Sequence, residues 1–95
     1  MVTVPANLPL LEARQHLALA DNLVRDGRYD GASAELNAAS KALGDYAAAQ
    51  PAKAERVNAV RQDMTSSASS INQNVADMDS KIHGWWNQVT DWAQQ

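Results

Sequence analysis

The sequence predicts an all-α protein in which an antiparallel helical hairpin is followed by a long third helix. Apolar side chains recur at steps of three and four residues through three successive segments, the spacing of one face of an α-helix. Neither glycine nor proline interrupts the chain from Ala52 to His83. Phenylalanine is absent and alanine is frequent, which suits closely packed helices better than a β-sandwich.

Length, cysteine usage and charge narrow the class of protein. The 95 residues are enough for one domain and too few for two of ordinary size. The absence of cysteine excludes disulfides, thiolate zinc sites and thiol catalysis. The net charge is −3 and the basic residues are scattered, so no basic patch is available for nucleic acid. We therefore expect a single helical domain over residues 1–95 that has no nucleic-acid partner.

The first helix is predicted over residues 8–26, after an extended lead-in at residues 1–7. Asn7 is placed to cap it, and Pro9 lies in the first turn, where a missing N–H costs nothing. Gly27 is predicted to end the helix in the left-handed conformation. The apolar face comprises Leu10, Ala13, Leu17, Ala20 and Val24.

The second helix is predicted over residues 29–49, so that a very tight turn joins it to the first. Its apolar positions are Tyr29, Ala32, Leu36, Ala39, Leu43 and Tyr46. Gly44 could end the helix early, but the pattern continues beyond it. Gln50 precedes Pro51 and is therefore pushed out of the α region, which stops the helix.

The third helix is predicted over residues 52–94, and from Met64 onward its apolar positions form a heptad seam. At about 1.5 Å per residue this helix is about 65 Å long, against roughly 25–30 Å for each of the first two. Either its second half projects beyond the hairpin, or the chain turns back at the serine-rich residues 65–70 to make a four-helix up-down bundle. Gly84 is another possible end. The apolar phase continues across the serines, which favours the continuous helix.

Residues 10–43 resemble a single tetratricopeptide (TPR) helical hairpin. The positions that carry the resemblance are Leu17, Ala20, Leu23, Gly27-Arg28-Tyr29, Ala32, Leu36 and Ala39. The succession of an apolar helix, a glycine turn and an alanine-rich helix is also similar to small bacterial proteins of YfdX type. The TPR resemblance implies a tight helical hairpin. Because no second copy of the repeat follows, it does not imply a concave peptide-binding groove.

Two carboxylate–imidazole pairs are the strongest candidates for chemistry. Glu12 and His16, and likewise Asp79 and His83, are one helical turn apart and can share a metal ion. A metal-dependent enzyme that uses His16 and His83 is therefore one hypothesis. Neither histidine lies on an apolar seam, however, whereas metal ligands in bundles project inward. We expect no catalytic residue, no cofactor and no metal.

The apolar seam of the third helix ends in tryptophans, which favour interfaces. We therefore predict a non-enzymatic module for protein–protein interaction or self-assembly, whose partner is another helical protein or a second copy. The alternative is a monomeric four-helix bundle that is a scaffold or binds a small apolar ligand. The candidate interface comprises Met64, Ile71, Val75, Met78, Ile82, Trp85, Trp86, Val89 and Trp92.

A membrane partner is not expected from this sequence. No apolar run approaches the roughly 20 residues of a transmembrane helix. The tryptophan-bearing segment carries Asp77, Asp79 and Asp91 against Lys81, a poor charge balance for anionic lipid. The first seven residues lack the features of a signal peptide. These observations leave the compartment open between bacterial cytoplasm and periplasm.

Overall fold

Four α-helices make up the protein in a computed structural model that describes residues 8–73 and 75–94. They are α1 (Leu8–Arg25), α2 (Tyr29–Ala49), α3 (Ala54–Ser69) and α4 (Val75–Ala93). Short 3₁₀ turns at Pro51–Lys53 and Ile71–Gln73 precede α3 and α4. The described ranges contain no strand, which confirms the all-α class. The predicted lead-in and its cap, Asn7, lie outside the described residues.

The helices run alternately up and down. Helix α1 packs against α2 and α4, while α2 also packs against α3. Antiparallel order is visible between α1 and α4, where Arg14 lies over the ring of Trp86 and Arg25 contacts Asp79 further along α1. The arrangement is a four-helix bundle of about 43 × 27 × 18 Å.

The turn between α1 and α2 depends on one glycine. Gly27 has φ +77°, in the left-handed region that side-chain-bearing residues rarely adopt. Its N–H donates to the carbonyl of Val24, and the N–H of Arg28 donates to that of Leu23. These two bonds form a Schellman motif, which satisfies carbonyls at the end of the helix.

The favoured prediction of one continuous helix over residues 52–94 is wrong. Helix α3 ends at Ser69, and a 3₁₀ turn at Ile71–Gln73 precedes α4. The hydroxyls of Ser69 and Ser70 donate to the carbonyls four residues earlier, which weakens the helical preference of this segment. Residues 65–69 are still helical, so the chain turns back directly after the serine-rich residues 65–70 and not within them, where the alternative prediction had placed the break.

Burial explains why the chain turns back here. In a continuous helix, the apolar face of α4 would extend beyond the hairpin. In the bundle, Met78, Ile82 and Val89 of that face are almost completely buried. Burial of each such side chain contributes about 1.5–3 kcal/mol, which exceeds the cost of the few backbone bonds lost at the break. Ile71, within the 3₁₀ turn, is buried as well. The regular spacing of apolar residues therefore continues across the break, although the helix does not.

The remaining glycines do not end helices. Helix α4 continues through Gly84, and no atom lies within 4 Å of the position of a Cβ on this residue. Helix α2 continues through Gly44, where the Arg61 guanidinium of α3 lies 2.9 Å from the position that a Cβ would take. The Nε of Arg61 also donates to the carbonyl of Ser40, at 2.9 Å. Gly44 thus makes room for an arginine that links α3 to α2.

Among the helices of residues 8–73 and 75–94, none is both long and apolar enough to cross a bilayer.

Candidate functional site

A groove opens between α1 and α4 and has a volume of about 370 Å³. We call it the α1–α4 groove. Its walls combine apolar side chains with polar groups, as is typical of small-molecule sites. The lining residues are Leu17, Ala18, Asp21, Asn22, Ile82, His83, Trp86 and Asn87.

At one end of this groove, four charged or titratable side chains from α1 and α4 meet: Asp21, Arg25, Asp79 and His83. We call them the α1–α4 cluster. The Nε2 of His83 lies 3.3 Å from Oδ2 of Asp21 and 3.5 Å from Oδ1 of Asp79. The Nη2 of Arg25 lies 3.2 Å and 3.4 Å from the same two oxygens. Both carboxylates are thus shared between a guanidinium and an imidazole.

Asp21 is the most buried member of the cluster, with 9% of its surface exposed. Burial raises the pKa of this carboxyl above its usual range, and its hydrogen bond to Asp79 acts in the same direction. The neighbouring His83 and Arg25 oppose the increase. The Oδ1 atom of Asp21 is buried and has no hydrogen-bond partner among the residues that the structure describes. Asp21 is therefore a carboxyl with unused acceptor capacity.

Asp79, whose side chain is about half exposed, has a pKa that shifts in the opposite direction. Its hydrogen bond with Asp21 lowers the pKa of the Asp79 carboxyl, and Arg25 and His83 lower it further. Two carboxyls with divergent proton affinities beside an imidazole can bind a cation or a hydrogen-bond donor.

The structure separates the two carboxylate–imidazole pairs that the sequence suggested. Asp79 and His83 do face each other, but their partner across the helix interface is Asp21. His16 lies on another side of α1, where its Nδ1 is 2.5 Å from Oε2 of Glu35 on α2. Glu12 and His16 therefore do not join Asp79 and His83 in one four-ligand site.

Most of the candidate interface residues are core residues of this chain. Trp86 is partly buried at the groove, and the side chain of Val75 lies outside the described residues. The seam is therefore largely covered by the chain's own helices, and no partner helix is needed to bury it. The buried members are Met64, Ile71, Met78, Ile82, Trp85, Val89 and Trp92.

Trp86 lines the groove, and Arg14 of α1 lies over its ring. The guanidinium carbon of Arg14 lies 4.6 Å from the ring centroid of Trp86, a cation–π distance. Trp86 is partly buried. Its ring is one wall of the groove, whereas Trp85 points into the core.

Asp21 is the site residue that sequence reasoning missed. It follows Leu17 by four residues and precedes Val24 by three, so it lies in phase with the apolar face of α1. A carboxylate in such a position must be desolvated and is a candidate for a perturbed pKa. The sequence contained this signal, but it did not show that Asp79 and His83 of α4 lie beside Asp21.

Comparisons with protein families, with curated proteins and with solved structures find no match to this chain. The resemblance to a TPR hairpin or to YfdX-type proteins therefore stays a prediction. The chemistry of the α1–α4 groove and its cluster is the basis for assigning a function.

Proposed function

We propose that this protein is a non-enzymatic four-helix bundle that binds a small, mainly apolar molecule with one cationic or hydrogen-bond-donating group in the α1–α4 groove. The observation that carries the proposal is the combination, in one groove, of an apolar wall with the buried carboxyl of Asp21.

The dimensions of the groove support a small ligand. Its volume of about 370 Å³ lies at the lower end of the roughly 300–1,000 Å³ that is common for ligand pockets. The indole of Trp86 and the side chain of Ala18 supply an accessible apolar surface, and the buried Leu17 and Ile82 lie beneath it. A flat hydrocarbon or aromatic body would be held there by burial of its apolar area.

The polar end determines which head group fits. Within the described part of the chain, Oδ1 of Asp21 lacks a hydrogen-bond partner, and a buried acceptor without a partner costs about 1–3 kcal/mol. A ligand ammonium or hydroxyl would supply the donor and recover part of this cost. An anionic head group would be repelled by Asp21 and Asp79. The proposed ligand class is therefore an amine or alcohol with an apolar body.

Phenethylamine is a suitable probe for this proposal. We expect it to shift the NMR signals of the Trp86 indole and of His83 in a saturable titration, and phenylacetate, which has the opposite charge, to bind at least about tenfold more weakly. Ala18→Phe fills the groove from an exposed position and should weaken phenethylamine binding by a similar factor. Ala34→Phe, at an exposed position on α2, is the matched control and should leave binding unchanged.

Three results would contradict the groove proposal. One is the absence of saturable shifts at the groove, and the second is equal binding of the amine and the acid. The third is unchanged binding by the Ala18→Phe variant. A folded state of each variant, checked by circular dichroism, keeps these outcomes interpretable.

A second candidate function, contact with another protein, is supported by three exposed leucines of α1. Leu8, Leu11 and Leu19 are the large apolar side chains with the greatest exposure among the described residues. Helical geometry places them within one sector of α1, directed away from the core. Since the tryptophan seam is mostly buried, this sector is the apolar surface that remains for a partner.

Self-association through this sector is tested by light scattering after size exclusion at high micromolar concentration. We expect a dimer that the double variant Leu11→Lys, Leu19→Lys dissociates, because a lysine cannot be buried there without a partner charge. Ala34→Lys is the control and should leave the dimer intact. A wild-type chain that remains monomeric overturns this second candidate.

A further inference from the structure

We propose that Asp21, Asp79 and His83 form a binding site for a divalent transition-metal ion of the Zn²⁺ type, which bridges α1 and α4. This inference goes beyond the proposed function and does not depend on a ligand in the groove. It rests on the geometry of three ligand atoms, on an unused buried oxygen and on the position of Arg25.

The three candidate ligand atoms are already close enough to hold one ion. They lie within 4.8 Å of one another, and Nε2 of His83 is 3.3 Å and 3.5 Å from the two carboxylate oxygens. With metal–ligand bonds of about 2.0–2.1 Å, tetrahedral coordination places ligand atoms about 3.3 Å apart. A single ion therefore fits between them with small side-chain adjustments.

The types of ligand and their supports favour the same kind of ion. Imidazole together with carboxylate suits Zn²⁺ and its neighbours in the first transition row, whereas Mg²⁺ and Ca²⁺ prefer oxygen ligands alone. Asp79 and His83 are one turn apart on α4, and Asp21 projects from α1. Three protein ligands leave a fourth position for water.

Asp21 provides a separate indication of a missing positive partner. The residue is 9% exposed, and its buried Oδ1 makes no hydrogen bond to residues 8–73 or 75–94. A desolvated carboxylate oxygen with no donor is costly. A cation bound at this carboxylate would offset the cost by a direct electrostatic interaction, whereas Arg25 and His83 both contact the other oxygen, Oδ2.

Arg25 is the internal competitor for this site. Its Nη2 lies against the same two oxygens that would bind the ion, at 3.2 Å and 3.4 Å. The Arg25 side chain is 59% exposed and can therefore turn into solvent when a metal ion enters. Removal of this guanidinium should strengthen metal binding. If the cluster is only an ion-pair network between helices, the same change should have no effect on metal binding.

The test is calorimetric titration of the full chain with ZnCl₂ at neutral pH, in a buffer that does not bind metal. We expect one Zn²⁺ per wild-type chain. Loss of a second-shell partner typically costs about 10–100-fold in metal affinity, so loss of a direct ligand in Asp21→Asn or His83→Gln should cost at least as much. Arg25→Gln should bind several-fold more tightly. His16→Gln removes the other histidine and should bind like the wild type.

Thermal unfolding provides a second measurement that detects misfolded variants. Zn²⁺ should raise the Tm of the wild-type and Arg25→Gln chains by mass action and leave that of the His83→Gln chain unchanged. Absence of binding in both the wild-type and Arg25→Gln chains overturns the site. Equal loss in His16→Gln and His83→Gln also overturns it. The Ala18→Phe variant should retain Zn²⁺, which separates failure of this site from failure of the groove.

Discussion

Replacement of Leu17 by alanine is expected to lower the free energy of unfolding by about 2–5 kcal/mol, the range for deletion of a buried leucine side chain. Leu17 is 0% exposed and lies on the face of α1 that meets the other helices. The substitution removes apolar contacts and leaves a cavity that the surrounding helices fill only in part. Denaturant unfolding monitored by circular dichroism measures the change.

Leu19 supplies the matched control for Leu17. It is the same residue type on the same helix, two positions later, but it is 48% exposed. Leu19→Ala should change the free energy of unfolding by no more than about 0.5 kcal/mol, as is usual at surface positions. Equal effects of the two substitutions would show that α1 does not present the face described above to the core.

Replacement of Trp85 by alanine is expected to cost about 3–5 kcal/mol, which is a large part of the roughly 5–15 kcal/mol stability of a typical domain. The indole of Trp85 is 4% exposed, and its Nε1 donates to Oδ2 of Asp63 on α3 at 3.0 Å. The side chain thus joins α4 to α3 by apolar burial and by a hydrogen bond. Its loss should loosen the contact between these two helices.

Two further substitutions separate the burial of Trp85 from its hydrogen bond. Trp85→Phe keeps most of the apolar area and removes the donor, so it should cost less than Trp85→Ala. Asp63→Asn keeps a neutral acceptor oxygen and should therefore cost no more than about 0.5–1.5 kcal/mol, the net contribution of a whole hydrogen bond. A Trp85→Ala variant as stable as the wild type would contradict the α3–α4 packing.

The first two helices could be predicted almost residue by residue because their signals are local. Gly27 ends α1 through its left-handed backbone, and Pro51 follows the end of α2. Both effects depend on the covalent geometry of single residues and therefore appear in any fold. The spacing of Leu17 and Leu36 likewise identified the faces that are buried.

Local sequence signals did not determine whether the helix breaks after Ser69. The serines permit a helix and also permit a turn, and no residue there requires a positive φ. What decided the outcome was the gain from burial of Met78, Ile82 and Val89 against the rest of the bundle. The free energy gained by this burial depends on contacts between segments that are distant in sequence. The apolar periodicity of a single segment therefore cannot predict it.

The candidate site also has a part that the sequence predicted and a part that only the tertiary structure shows. The spacing of Asp79 and His83 placed them together on one helix, as the structure has them. Asp21 comes from α1, and its buried position beside them arises only when α4 folds back antiparallel to α1. Without that fold there is neither a groove nor a shared carboxyl pair.

The sequence by itself determined the all-α class, the hairpin and the apolar stripe formed by the seam from Met64 to Trp92, because helical periodicity and backbone preferences act within a few residues. Only the tertiary structure decided that this stripe is mostly buried inside one chain and that Asp21, Asp79 and His83 meet. The physical reason is that burial and electrostatic pairing depend on which surfaces come together, and many surfaces can cover the same apolar stripe.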